Sequence, residues 1–222
     1  MITLHHLENS RSQRILWLLE ELGVDYEIER YGRDKMTNLA PPELLEIHPL
    51  GKAPVITDDG VTVAESGAVI EYLVGKYDDG TLLPEDGTEA RRAYTFWLHY
   101  AEGSFMPLML LSLIMGRIEK SPALVRPIAK AIAGKVRKGY LDHNVKRHLD
   151  YIEDTLSKST WFCGESMSAA DIQMSFALDA AEVRTDLSAD YPHCADFLQR
   201  IRSRPAYRAA LDRGGHYELM RP

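Results

Sequence analysis

Cysteine is almost missing from this chain. Of 222 residues only Cys163 and Cys194 carry thiols, with no C-x-x-C pair and no metal-ligand spacing. That excludes a disulfide framework and a cysteine-built metal cluster, and predicts two buried thiols in a reducing cytosol. Histidine does not fill the gap. Among eight histidines, His143 and His148 are five apart and fall on different helix faces, while His5 and His6 alternate across a strand. No metal site is expected. Positive charge is in deficit: 26 Lys and Arg against 33 Asp and Glu leave a net charge of −7. This argues against a nucleic-acid binder. Long apolar runs are also lacking. Ile15–Leu19 is short and closed by Glu20-Glu21, and Phe105–Met115 contains Pro107 and is about half of the roughly 20 residues that span a bilayer. Neither a signal peptide nor a membrane partner is expected, and the cytoplasm is the default location.

What is present suits an ordinary soluble core, with 45% hydrophobic and 27% charged residues. Ile2–His6 reads as a strand. The stretch Leu7–Arg14 reads as a turn, after which Ile15, Leu18, Leu19 and Leu22 keep helical spacing up to Gly23. Val24, Tyr26 and Ile28 alternate with acids, as a half-buried strand does. Pro41–Leu45 can open a short helix. Pro54–Thr57 and Val61–Val63 flank Asp59-Gly60, a hairpin signal. Glu65-Ser66 opens a helix with Val69, Ile70, Leu73 and Tyr77 on its apolar side. The order βαβ, then αββα, predicts a small mixed sheet with helices on its faces.

Residues 78–88 are polar and broken by Gly and Pro, a linker composition. Beyond it the strand signal vanishes. Tyr94, Trp97, Leu98, Ala101, Phe105 and Leu108 keep helical spacing, as do Leu141, Val145, Leu149, Ile152 and Leu156. The expected organisation is an α/β domain over 1–77, a linker, and an all-helical domain over 89–222. Ser168–Asp171 reads as a capping box, with Met167 and Ile172 as its hydrophobic staple.

Three short motifs each admit two readings. Ser10 is either a helix cap or a hydroxyl turned outward, able to donate to a thiolate beside a helix N-terminus. Gly51-Lys52-Ala53-Pro54 is either an edge strand beginning with proline or a cis-proline turn that leaves the Ala53 backbone to pair an extended peptide. Glu65-Ser66 is either a first-turn acid with a cap or a site for an α-amino-acid head group. Taken in order, thiolate site, peptide clamp and head-group site describe glutathione.

On those residues the chain resembles the cytosolic glutathione transferases. The matching segments are Ser10–Arg14, His48–Pro54, Glu65-Ser66 and the capping box behind Gly164, and Trp97–Pro107 is similar to a bacterial and fungal subgroup. The resemblance implies a thioredoxin-like N-terminal domain, a helical C-terminal domain and a homodimer. It implies that Ser10 bonds the thiolate with Arg11 assisting, and that Ala53, before cis-Pro54, clamps the peptide. Glu65 and Ser66 would take the γ-glutamyl head, and Lys52, with Lys35, the glycyl carboxylate. Glutathione would be a co-substrate, with no cofactor and no metal. The turn lacks both the tyrosine of the animal tyrosine-type classes and the cysteine of the thiol-exchange classes. Phe105, Met106, Met109 and Leu113 are the candidate acceptor pocket between the domains. The implied reaction is thiolate attack on a small, partly hydrophobic electrophile. The alternatives are peroxide reduction, dehalogenation or isomerisation on the same site, or a non-catalytic binding module.

Overall fold

The computed structural model describes residues 1–185, 187–215 and 217. Residues 186, 216 and 218–222 of the expected helical domain lie outside the described residues. The first 77 residues form β1 (Ile2–Leu7), α1 (Ser12–Leu22), β2 (Tyr26–Tyr31), α2 (Leu44–Ile47), β3 (Val55–Asp58), β4 (Val61–Ala64) and α3 (Ser66–Tyr77). From Glu89 onward come α4 (Glu89–Tyr100), α5 (Met106–Glu119), α6 (Arg126–Val136), α7 (Asp142–Lys158), α8 (Ala169–Glu182), α9 (Leu187–Asp190), α10 (Pro192–Ser203) and α11 (Pro205–Gly214).

The sheet order is β2-β1-β3-β4. β1 and β2 are parallel, with Ile2 beside Tyr26 and Leu7 beside Tyr31, because α1 carries the chain back across the sheet. β3 runs antiparallel to β1 and to β4. Asp59 (φ 48°) and Gly60 (φ 85°) are both left-handed, as the two central residues of a type I′ hairpin must be. The expected thioredoxin-like arrangement is therefore present.

One expected boundary moves. α1 begins at Ser12 rather than after Arg14. The Gln13 N–H bonds the Ser10 carbonyl at 3.3 Å, which starts the turn early. Gln13 and Arg14 hide the helix from a hydrophobicity pattern because they are polar yet buried. α1 is buried from Ser12 to Leu19, with the sheet on one side and α8 and α11 on the other.

Between Tyr77 and Glu89 there is no helix or strand. The segment is nonetheless pinned. The Asp78 carboxylate accepts from the N–H groups of Thr81, Leu82 and Leu83, and the Leu82 carbonyl accepts from the Ala169 N–H at 2.9 Å.

α4 and α5 are joined through a π turn, Ala101–Phe105, into one helix, Glu89–Glu119. The turn has a local cause. Pro107 has no N–H to give, and the Met106 N–H reaches back five residues to the Ala101 carbonyl. By length and composition this helix could cross a bilayer. Here Tyr94, Trp97, Leu98 and Phe105 bury one side of it in the helical part. α8 is buried along nearly its whole length and starts in the expected capping box. Asp171 accepts from the Ser168 N–H at 2.8 Å and from the Phe162 N–H at 2.9 Å.

Candidate active site

The elements around the end of β3 enclose a cleft of about 300 Å³. Its floor is Ala53 and Pro54, joined by a cis peptide bond. The β3–β4 ladder ends at Val55 and Ala64, so Ala53 stands outside it, with its backbone groups beyond the sheet's own pairing. Lys52, His48, Glu65 and Ser66 line the cleft as well.

Glu65 has φ 72° and ψ 124°, a conformation that a non-glycine residue adopts at a cost of about 1–3 kcal/mol. The carbonyl of this residue accepts the Val69 N–H at 2.8 Å, while its exposed carboxylate makes no hydrogen bond or ion pair among the described residues. Ser66 is buried at the first position of α3, and its Oγ accepts from Arg14 Nη2 at 2.9 Å. Because that bond uses a lone pair, the Ser66 proton is left to donate. The α3 N-terminus and this O–H thus suit a carboxylate, and Glu65 an ammonium.

Arg14 is the hub behind this wall. Its Nη1 donates to the Gln173 carbonyl at 2.7 Å, and its Nη2 also meets Glu102. Glu102, from the π turn, accepts from Arg11 Nε at 2.9 and 3.0 Å. The two guanidinium carbons sit 5.3 and 5.4 Å from the centre of the Phe176 ring on α8. Burial pushes the Glu102 carboxyl up, but Arg14 and Arg11 more than offset it, and the net shift is downward. Burial also lowers Arg14, against the pull of Glu102; a guanidinium starts so high that the pair stays ionised at neutral pH. Two cations and one carboxylate leave this cluster with one positive charge in excess at the cleft.

Ser10 is placed differently from expectation. It is buried and does not line the cleft, whereas Arg11 does. Its Oγ lies 2.7 Å from Ser12 Oγ, which lies 2.8 Å from His6 Nδ1, and His6 Nε2 lies 3.1 Å from the Gly214 carbonyl. A carbonyl only accepts, so Nε2 carries the His6 proton. Burial, then the Arg30 charge, lowers His6 to about 4, against the weaker upward effect of the Gly214 bond. His6 is therefore neutral and Nδ1 accepts from Ser12. Ser12 has no second proton, so Ser10 donates to Ser12. At rest the Ser10 proton points into the protein rather than toward a ligand. Nor is Ser10 the helix cap. Arg11 occupies that position without a side-chain bond, while Ser10 Oγ accepts from the Ser12 N–H at 3.2 Å.

The chain has a close relative in the glutathione S-transferase 3 of Schizosaccharomyces pombe, 37% identical over 96% of this chain and 88% of that protein. This chain belongs to the glutathione S-transferase family. The family's N-terminal domain model matches residues 1–75 and its C-terminal domain model residues 122–211. A glutathione S-transferase crystal structure from Actinobacillus pleuropneumoniae superposes with a TM-score of 0.80 at 34% identity, covering 99% of this chain and 95% of that one. A sphingomonad glutathione S-transferase, solved with glutathione, gives 0.73 at 26% identity over 96% and 98%.

Against that family background, the cleft gathers Arg11, Lys52, Ala53, Pro54, Glu65 and Ser66 from the expected set. Lys35 is exposed on the loop after β2 and does not line it. The expected acceptor pocket needs correction. Phe105, Met106 and Met109 are buried in the helical core, and Leu113 is half-buried outside the cleft. The residue that α5 presents to the cleft is Leu110. The π turn inserts one residue into the helical count, which rotates α5 by about 100° relative to the face extrapolated from α4. Two contributors have no role that local sequence signals: Arg14 and Glu102. The partners of Arg14 lie at separations such as 52 and 159 residues, beyond any local pattern. Both cysteines are free, Cys194 buried as expected and Cys163 only half-buried. Burial pushes Cys163 up to about 12 despite the Ser168 hydrogen bond, and pushes Cys194 up as well, so neither is a thiolate at neutral pH.

Proposed function

We propose that this protein is a glutathione transferase that binds glutathione in the Ala53–Ser66 cleft and directs its thiolate at a small, partly hydrophobic electrophile. The observation that carries this reading is the convergence of a backbone clamp, a carboxylate-and-ammonium site and a surplus cation in one cleft. In it the Ala53 backbone pairs the cysteinyl unit. Glu65 takes the ammonium, the Ser66 N–H and O–H take the γ-glutamyl carboxylate, and Lys52 takes the glycyl carboxylate.

A free thiol has a pKa of about 8.5, and lowering it by about 2 units corresponds to roughly 2.7 kcal/mol. The Arg11–Glu102–Arg14 surplus charge and the α1 N-terminus supply part of this. Ser10 adds to it by turning its proton from Ser12 to the sulfur. That gives up a neutral bond with a net value of about 1 kcal/mol for one to an anion of about 1.5–3 kcal/mol. The enzyme ionises and places the thiolate; the bond to the electrophilic carbon forms as the leaving group departs. Leu110 offers the apolar contact for that electrophile.

Calorimetry with glutathione and conjugation of a chloronitroarene test the reading together. Glu65→Ala is expected to weaken glutathione binding by about tenfold or more, the loss of one partly exposed charge-assisted contact. Unchanged affinity would remove the head-group assignment. Binding without turnover of any acceptor would make the protein a binding module instead. A second copy is the proposed protein partner. The half-exposed aromatic pair Phe96 and Tyr151, rings 6.0 Å apart, supports a covered face, and light scattering tests it.

A further inference from the structure

The acidic chain carries one region of opposite character. Residues 120–140 contain six Lys and Arg and no Asp or Glu. Among the described residues only Arg137 of these joins an ion pair, with Glu119 at 2.8 Å. Lys120, Arg126, Lys130, Lys135 and Lys138 are exposed and outside any ion pair among the described residues. Between them stand apolar side chains that the fold leaves in solvent. Leu124, in the turn between α5 and α6, is 93% exposed, and Ile128 and Ile132, one turn apart on α6, are 67% and 56% exposed. The opposite side of α6 is inward, through buried Ala133. Lys135 shares the apolar stripe, where its stem can lie flat while the ammonium reaches out.

Although the short apolar runs of the sequence lead to no expectation of a membrane partner, we propose that the α5–α6 turn and the outer face of α6 form a docking surface for an anionic lipid bilayer. Cations would meet headgroups, and Leu124, Val125, Ile128 and Ile132 would enter the boundary with the acyl chains. Charge complementarity selects this occupant. A second copy packed face to face would set these cations against one another. A nucleic acid would meet the cations but leave the isoleucines in water. The acidic remainder of the chain is repelled by the same bilayer, so a single face docks. On α5, Leu110 and Ile114, one turn apart, are also exposed, and Leu110 lines the cleft. The proposal is independent of the glutathione assignment.

Flotation of the full chain with phosphatidylcholine vesicles, with and without phosphatidylserine, tests it. Binding is expected only to the anionic vesicles and is expected to weaken with salt. Each cation at an anionic surface accounts for about a fivefold change in partitioning, so Lys130→Gln, Lys135→Gln and Lys138→Gln together should lose about a hundredfold. Ile128→Ser with Ile132→Ser should lose binding at every salt concentration, with unchanged thermal melting because both sites are exposed. Equal binding to neutral vesicles, or none to anionic ones, would overturn the proposal. A drop in solution mass for the isoleucine variants without vesicles would assign the face to a second copy and overturn it too. Tighter retention on heparin than on vesicles, unaffected by the isoleucine changes, would also count against a bilayer.

Discussion

The inward-running chain of hydroxyls makes an unusual prediction for Ser12→Ala. Ser12 is fully buried and occupies the Ser10 proton through a 2.7 Å bond. With that acceptor removed, Ser10 no longer gives up a bond of about 1 kcal/mol when it turns to the glutathione sulfur. The thiol of bound glutathione should then ionise more easily, its pKa falling by up to about 0.7 unit at 1.36 kcal/mol per unit. Ser10→Ala should shift it the opposite way. Stability should move against function. His6 Nδ1, now a buried acceptor without its 2.8 Å donor, should cost about 1–3 kcal/mol. Ultraviolet titration of the bound thiolate measures the first effect and urea melts the second. A thiol pKa that rises in Ser12→Ala, as in Ser10→Ala, would mean that the chain feeds protons outward, and would refute the tautomer argued for His6.

The same histidine sets a pH dependence. Its folded pKa of about 4 lies below the unfolded value of 6.5, so the unfolded chain binds more protons between those values and stability should fall as pH drops through that window. The wild type minus His6→Gln isolates it in acid melts, because Asp171 and Asp179, pushed up to about 6 by burial, act with opposite sign there. An identical pH slope in both proteins would count against a buried neutral His6. Glu102→Gln leaves the buried Arg14 without its carboxylate and should cost about 2–4 kcal/mol in a denaturant melt, the lower end being expected because the carboxylate edge reaches solvent. Met109→Ala should destabilise by about 2–4 kcal/mol with little effect on the acceptor KM, whereas Leu110→Ala should raise that KM with little loss of stability. The reverse pattern would return Met109 to the pocket.

Much of the fold was legible because its signals are local. The spacing of Ile15, Leu18, Leu19 and Leu22, the Asp59-Gly60 turn and the Ser168–Asp171 box each state their structure within a dozen residues. The cleft was legible for a related reason. Ala53-Pro54 and Glu65-Ser66 lie close in sequence at the ends of one hairpin, so the hairpin itself brings them together. The face that α5 presents to the cleft was not legible, because one π turn changes the phase of every residue after it. The internal state of Ser10 was equally hidden, since it depends on His6, and the tautomer of His6 depends on a carbonyl 208 residues away.

The sequence alone therefore settled the order of elements and, through short shared motifs, the family. The order of elements follows from side-chain periodicity and turn chemistry, which act over a few residues, and the family from its resemblance in short motifs. Only the tertiary structure decided where protons and charges stand: Arg14 buried between α1, α3 and α8, Glu102 shared by two guanidinium groups, and Ser10 turned inward. Hydrogen bonds and ion pairs form through space, and the direction of each depends on partners that folding alone brings within 3 Å.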